Sequence, residues 1–94
     1  MLARTEEEIL AAKADAMKRI GETLEKQLAE LERLRAAVTA ADGSERQRLR
    51  ARHRELLDRA RLQRWYLLVQ REAAGLRHHQ GLQRHYPLPE LLPE

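Results

Sequence analysis

Histidines, a lone serine and a dense run of arginines are the residues of this 94-residue chain best suited to chemistry. His78 and His79 are adjacent, so on a helix they diverge by roughly 100° and cannot converge on one ion. His85 lies beyond Gly81. Only a bend or a second chain would bring His78 to His85, or His79 to Glu72. Zinc requires three or four converging ligands, and the chain has no cysteine, no His-x-x-x-His and no Glu-x-x-His. His53 falls on a face expected to be buried and reads as a packed, hydrogen-bonded histidine. Neither a metal nor a cofactor is expected.

Catalysis needs a pocket that perturbs pKa values around an acid, base or nucleophile. Ser44 is the only serine and reads as a helix cap. Glu72 is the one acid in a basic, apolar stretch and has Arg71 beside it. There is no glycine-rich phosphate loop and no nucleophile elbow, so the chain is not expected to be an enzyme.

The arginines carry a sharper alternative. Residues 1–44 hold seven Lys/Arg against nine Asp/Glu, residues 45–86 hold eleven Arg against four acids, and residues 87–94 hold two Glu. Such asymmetry suits an acidic partner or nucleic acid, and arginine is the preferred bidentate phosphate ligand. However, Arg46, Arg48, Arg50, Arg52 and Arg54 alternate with other residues, so on a helix they encircle the axis. A nucleic-acid reading would rest on Arg48, Arg52 and Arg59 from two chains. No helix-turn-helix, zinc finger or stacking platform is legible.

These side chains are positioned by two long helices. Thr5-Glu6-Glu7-Glu8 has capping-box spacing, and helix formers then run without proline to Ala40, predicting helix 1 over about 6–40. The break is 41–44, where Gly43 can adopt the left-handed conformation and Ser44-Glu45-Arg46-Gln47 forms a second capping box. So short a connection forces antiparallel neighbours. Helix 2 is predicted over about 45–81, weakened near Gly75 and Gly81 by roughly 1 kcal/mol each and stopped by Pro87 and Pro89. Residues 82–94 form an extended, proline-rich but apolar tail, expected to fold back over the hairpin. The whole is expected to be one all-α domain, a coiled-coil-like helical hairpin.

Helix 1 carries Leu10, Met17, Leu24, Leu31 and Val38 at one heptad position, with small or apolar flanks such as Ala14, Ala16 and Gly21. Helix 2 places Leu49, His53, Leu56, Ala60, Leu67 and Ala74 on one face, which should meet helix 1. Its second half has another stripe on the opposite side: Leu62, Trp65, Tyr66, Val69, Ala73 and Leu76. A helix apolar on two sides is buried on two sides, and a lone hairpin covers only one. Small chains often gain stability by oligomerising. The stripe therefore predicts a homodimer forming a four-helix bundle, with Gly21, Ala14 and Ala16 permitting close packing near Trp65. Cover by the tail is the alternative for Trp65. Further contacts are expected from Tyr86, Leu88 and Leu91.

The opening residues are acidic rather than leader-like, and the longest apolar run, residues 65–69, is far too short to span a bilayer. No membrane association is expected, and the location is expected to be cytoplasmic. The functional expectation is a non-catalytic protein–protein interaction module: a small adaptor, accessory subunit or assembly factor. Nucleic-acid binding through helix 2 is one alternative. A hairpin arm within a hetero-oligomer is another.

Overall fold

The computed structural model describes residues 5–93. The opening segment before Thr5 and the last tail residue, Glu94, lie outside them. The chain is all-helical, with α1 (Glu6–Ala40), α2 (Gly43–Ala73) and a short α3 (Gln80–His85). The two long helices pack against each other in a hairpin 63 Å long.

Local chemistry accounts for most of the boundaries. The Thr5 hydroxyl accepts from the Glu8 amide at 3.2 Å, and Glu6, Glu7 and Glu8 sit at the positive end of the α1 dipole. Gly43 has φ +57° and reverses the chain. Because of that turn, the carbonyl opening α2 belongs to Asp42, which accepts from the Arg46 amide at 3.2 Å. Ser44 therefore stands inside the first turn rather than at the expected cap.

The far end of α2 differs more from expectation. The helix stops at Ala73, not near residue 81. Gly75 has φ +88°; its amide donates to the Glu72 carbonyl at 3.0 Å, and the Leu76 amide donates to Arg71 at 2.9 Å. This pair of bonds is the Schellman arrangement, which ends a helix on a left-handed glycine. Gly75 thus terminates α2 instead of merely weakening it. Lys13 of α1 adds a bond from its ammonium to the Ala73 carbonyl at 3.0 Å, satisfying an end the helix leaves open.

Past this turn the chain runs back along the hairpin. Leu82 of α3 is buried, Tyr86 and Leu88 pack against the core, and Leu91, Leu92 and Pro93 face Gln47, Arg50 and Arg54 near the other end. The central core cluster consists of Leu24 and Leu31 from α1, Leu57, Ala60 and Leu67 from α2, and Leu82, with Leu34 and Val38 of α1 also buried. Residues 82–85, expected in the tail, are helical.

Gly21 owes its place to this returning segment. A Cβ there would lie 2.7 Å from the Tyr86 hydroxyl oxygen. The bare glycine seats the ring, and an Arg64 guanidinium nitrogen donates to the Tyr86 carbonyl at 3.4 Å. Gly21 therefore serves contact within the chain, not the dimer packing near Trp65 that its size suggested. Alanine at this position gains about 1 kcal/mol of helix propensity but crowds the hydroxyl. Leucine must displace the ring altogether. Gly21→Leu is expected to speed tryptic cleavage after Arg84 on the order of tenfold, since cleavage follows the population of the opened segment. An unchanged rate would show that Tyr86 does not hold the segment down.

Candidate interaction surface

The apolar stripe of α2 is uncovered. Trp65 is 56% exposed, and Leu62, Tyr66 and Val69 are exposed with it. Ala73, at the C-terminal end of the helix, is exposed as well. Their spacing of three and four residues places Leu62, Trp65, Tyr66, Val69 and Ala73 on adjoining turns of one face. The Trp65 and Tyr66 rings lie 5.7 Å apart, tilted at 58°. Ile9 and Leu10 of α1 are also exposed. Leu76 no longer belongs to the helical stripe, because α2 ends before it; it lies beside Met17, Leu67 and Leu82 around a cleft of about 520 Å³.

The returning segment does not cover this face. It lies along Gly21 of α1 and the Arg64–Leu68 edge of α2, and it reaches only one side of Trp65 through Leu82 and Gln83. The expected fold-back of the tail is thus separate from the question of what meets Trp65. Exposure of several large apolar residues on contiguous turns marks an interaction surface more often than a bare monomer surface.

The opposite face of α2 is the hairpin core. His53, Ala60 and Leu67 are buried there as the periodicity indicated, while Leu49, Leu56 and Ala74 are only partly covered. Leu57 is fully buried although it lies off the line of that periodicity. It stands about 40° around the helix from His53. The returning segment runs along that edge, meeting Arg64 through Tyr86 and Arg50 and Arg54 through Leu91–Pro93.

His53 is 1% exposed, and its Nε2 has no hydrogen-bond partner among the described residues. It is packed, but the expected hydrogen bond from this atom is not formed. Burial pushes the imidazole below its ordinary value of 6.5, and the charge on Arg35 pushes it the same way. Below pH 6.5 the unfolded chain therefore binds a proton that the folded chain resists, and stability falls as pH drops through this window. His53→Leu removes the linkage. Thermal melts at pH 7, 6 and 5 are expected to give a flatter pH dependence for the variant than for the parent. Equal slopes would show that His53 is not responsible.

The arginines are interspersed with acids. Arg48 pairs with Glu45 at 2.7 Å, an exposed i,i+3 contact that holds the carboxyl below its ordinary range. Arg52 and Arg59 line a groove with Glu30 and Glu55. Of the tail residues expected to make contacts, Tyr86 and Leu88 are partly buried against the hairpin, and only Leu91 is exposed. Burial raises the Tyr86 phenol above its usual value, with Glu25 adding to the effect.

The remaining histidines serve local contacts. His79 Nδ1 accepts from Arg71 Nε at 3.4 Å, and its Nε2 is 3.5 Å from Glu72. His85 packs edge-on against Tyr86 at 4.9 Å. Among the described residues, no group of three or more His, Cys, Asp or Glu is arranged to hold a metal ion. No helix among them is long and apolar enough to cross a membrane. Comparison with protein-family models, curated proteins and solved structures gives no match for this chain.

Proposed function

We propose that this chain is a non-catalytic protein–protein interaction module, an adaptor, accessory subunit or assembly factor, acting through the apolar face of α2. The observation carrying this reading is the exposure of Leu62, Trp65, Tyr66 and Val69 together, while the tail packs on another side of the hairpin. Burying large apolar side chains contributes about 1.5–3 kcal/mol each before association costs, which is enough to hold two small hairpins together. The occupant proposed is a second copy, giving a homodimer of four long helices.

A different protein meeting the same face is the other outcome the stripe allows. The arginines support a nucleic-acid role less well, because Glu45, Glu30 and Glu55 stand beside Arg48, Arg52 and Arg59 and dilute the charge a phosphate backbone needs. Sedimentation velocity across low to high micromolar concentration tests the proposal. A shift from monomer to dimer is expected. A monomer throughout would remove self-association and leave a foreign partner as the occupant.

A further inference from the structure

We infer that two copies meet antiparallel, α2 against α2, about a two-fold axis beside Leu67, with Arg61 of each copy facing the partner's Glu72. This rests on the face proposed above and specifies how a second copy fits it.

The stripe has defined ends. Ala73 is the last residue of α2. In the other direction the line of the stripe runs into Asp58 and Glu55, one and two turns before Leu62. Contact is therefore confined to Leu62–Ala73, about 17 Å at 1.5 Å per residue. Large side chains occupy the first half (Leu62, Trp65, Tyr66) and smaller ones the second (Val69, Ala73). A parallel pairing would set Trp65 against Trp65 and Ala73 against Ala73, crowding one layer and leaving a void in another. An antiparallel pairing sets Trp65 over the partner's Val69 and Leu62 over the partner's Ala73, so large meets small in each layer.

Charge gives the same register independently. Arg61 and Glu72 lie on the same edge of the stripe, within about 20° of each other around the helix. The midpoints of Leu62/Ala73, Trp65/Val69 and Arg61/Glu72 all fall within half a residue of Leu67. The register that matches the side-chain sizes thus brings Arg61 to the partner's Glu72, and the two-fold axis makes the pair twice. A parallel two-fold would carry this edge to opposite sides of the interface, so Arg61 and Glu72 would gain no partner there. Within one chain these groups have only loose, exposed contacts: Arg61 to Asp58 at 3.5 Å and Glu72 to His79 at 3.5 Å. Such contacts contribute little and are readily redirected. Because the stripe lies opposite the α1 contact, the helices form a row with the two α2 helices inside and the two α1 helices outside. The hairpin turns point away from each other.

Charge reversal tests the register. Arg61→Glu and Glu72→Arg are each expected to weaken self-association on the order of tenfold at low salt, and the double variant to recover most of that loss. Cross-linking provides a second measurement, since the chain has no native cysteine. Arg61→Cys combined with Glu72→Cys is expected to give a covalent dimer under oxidation, while Arg61→Cys alone is not. A dimer whose affinity ignores the single reversals, or which cross-links through position 61 alone, overturns the antiparallel register but leaves the apolar face standing. An unmodified protein that stays monomeric at every concentration overturns the register and self-association together, and leaves the apolar face to a different protein.

Discussion

Trp65→Ala is expected to weaken the proposed dimer by roughly a thousandfold while leaving the folded monomer nearly as stable as before. Central aromatic side chains of an interface typically cost about 2 kcal/mol or more on truncation. Two-fold symmetry makes the loss twice per dimer, and about 4 kcal/mol corresponds to roughly a thousandfold in dissociation constant. The monomer is spared because the indole is 56% exposed and meets the returning segment on one side only. Surface truncations of this kind usually change stability by about 0.5 kcal/mol or less. Sedimentation equilibrium and thermal melts of dilute protein separate the two effects. If Trp65→Ala instead lowers the melting temperature of monomeric protein by many degrees, the indole is a structural prop. If association is unchanged, the interface lies elsewhere.

The second large effect is in the core. Leu57 is 0% exposed and belongs to the core cluster that includes Leu24, Leu31 and Ala60. Removing a fully buried leucine side chain costs about 2–5 kcal/mol, depending on how far the cavity collapses. A domain of this size has a total stability of only about 5–15 kcal/mol. Leu57→Ala is therefore expected to lower the melting temperature by roughly 10–30 °C, at about 4–8 °C per kcal/mol. Leu56→Ala is the informative control, because the helical periodicity assigns Leu56 to the core face whereas it is only partly buried. A smaller loss for Leu56→Ala than for Leu57→Ala is expected. The reverse order would mean that α2 is rotated about its axis relative to the described packing.

The contrast between Leu56 and Leu57 shows how much a helical wheel can resolve. Periodicity places the buried face of α2 to within about one residue step, roughly 100°. It locates His53, Ala60 and Leu67 because they lie on the line facing α1. It misses Leu57 because the neighbour on that side is the returning segment, which carries no helical pattern continuous with α2. The same reasoning applies to Leu82. Nothing in the spacing of residues 80–93 links Leu82 to the hairpin core, since its place there depends on a chain reversal at Gly75. Leu62, Trp65, Tyr66, Val69 and Ala73 are close together in sequence and share one helix, so their common face follows from local periodicity, and all five are exposed. Leu76 falls away from it for the same reason that α2 ends early.

What the residues determined alone is local. Helix formers, the Thr5 cap, Gly43 and the short turn suffice for two long antiparallel helices, because each effect acts within a few residues along the chain. The end of α2 was also encoded locally, but the Schellman turn at Gly75 becomes evident only when the amides of Gly75 and Leu76 are seen to bond backward. Tertiary structure decided everything that joins distant residues. It brought Tyr86 to Gly21, 65 positions apart, joined Leu57 and Leu82 in one core cluster, and buried His53 with an unpartnered ring nitrogen. It also laid the tail on one side of the hairpin and left Trp65 open on another. The reason is geometric: a helix presents all its faces, and only the path of the rest of the chain selects which of them are covered.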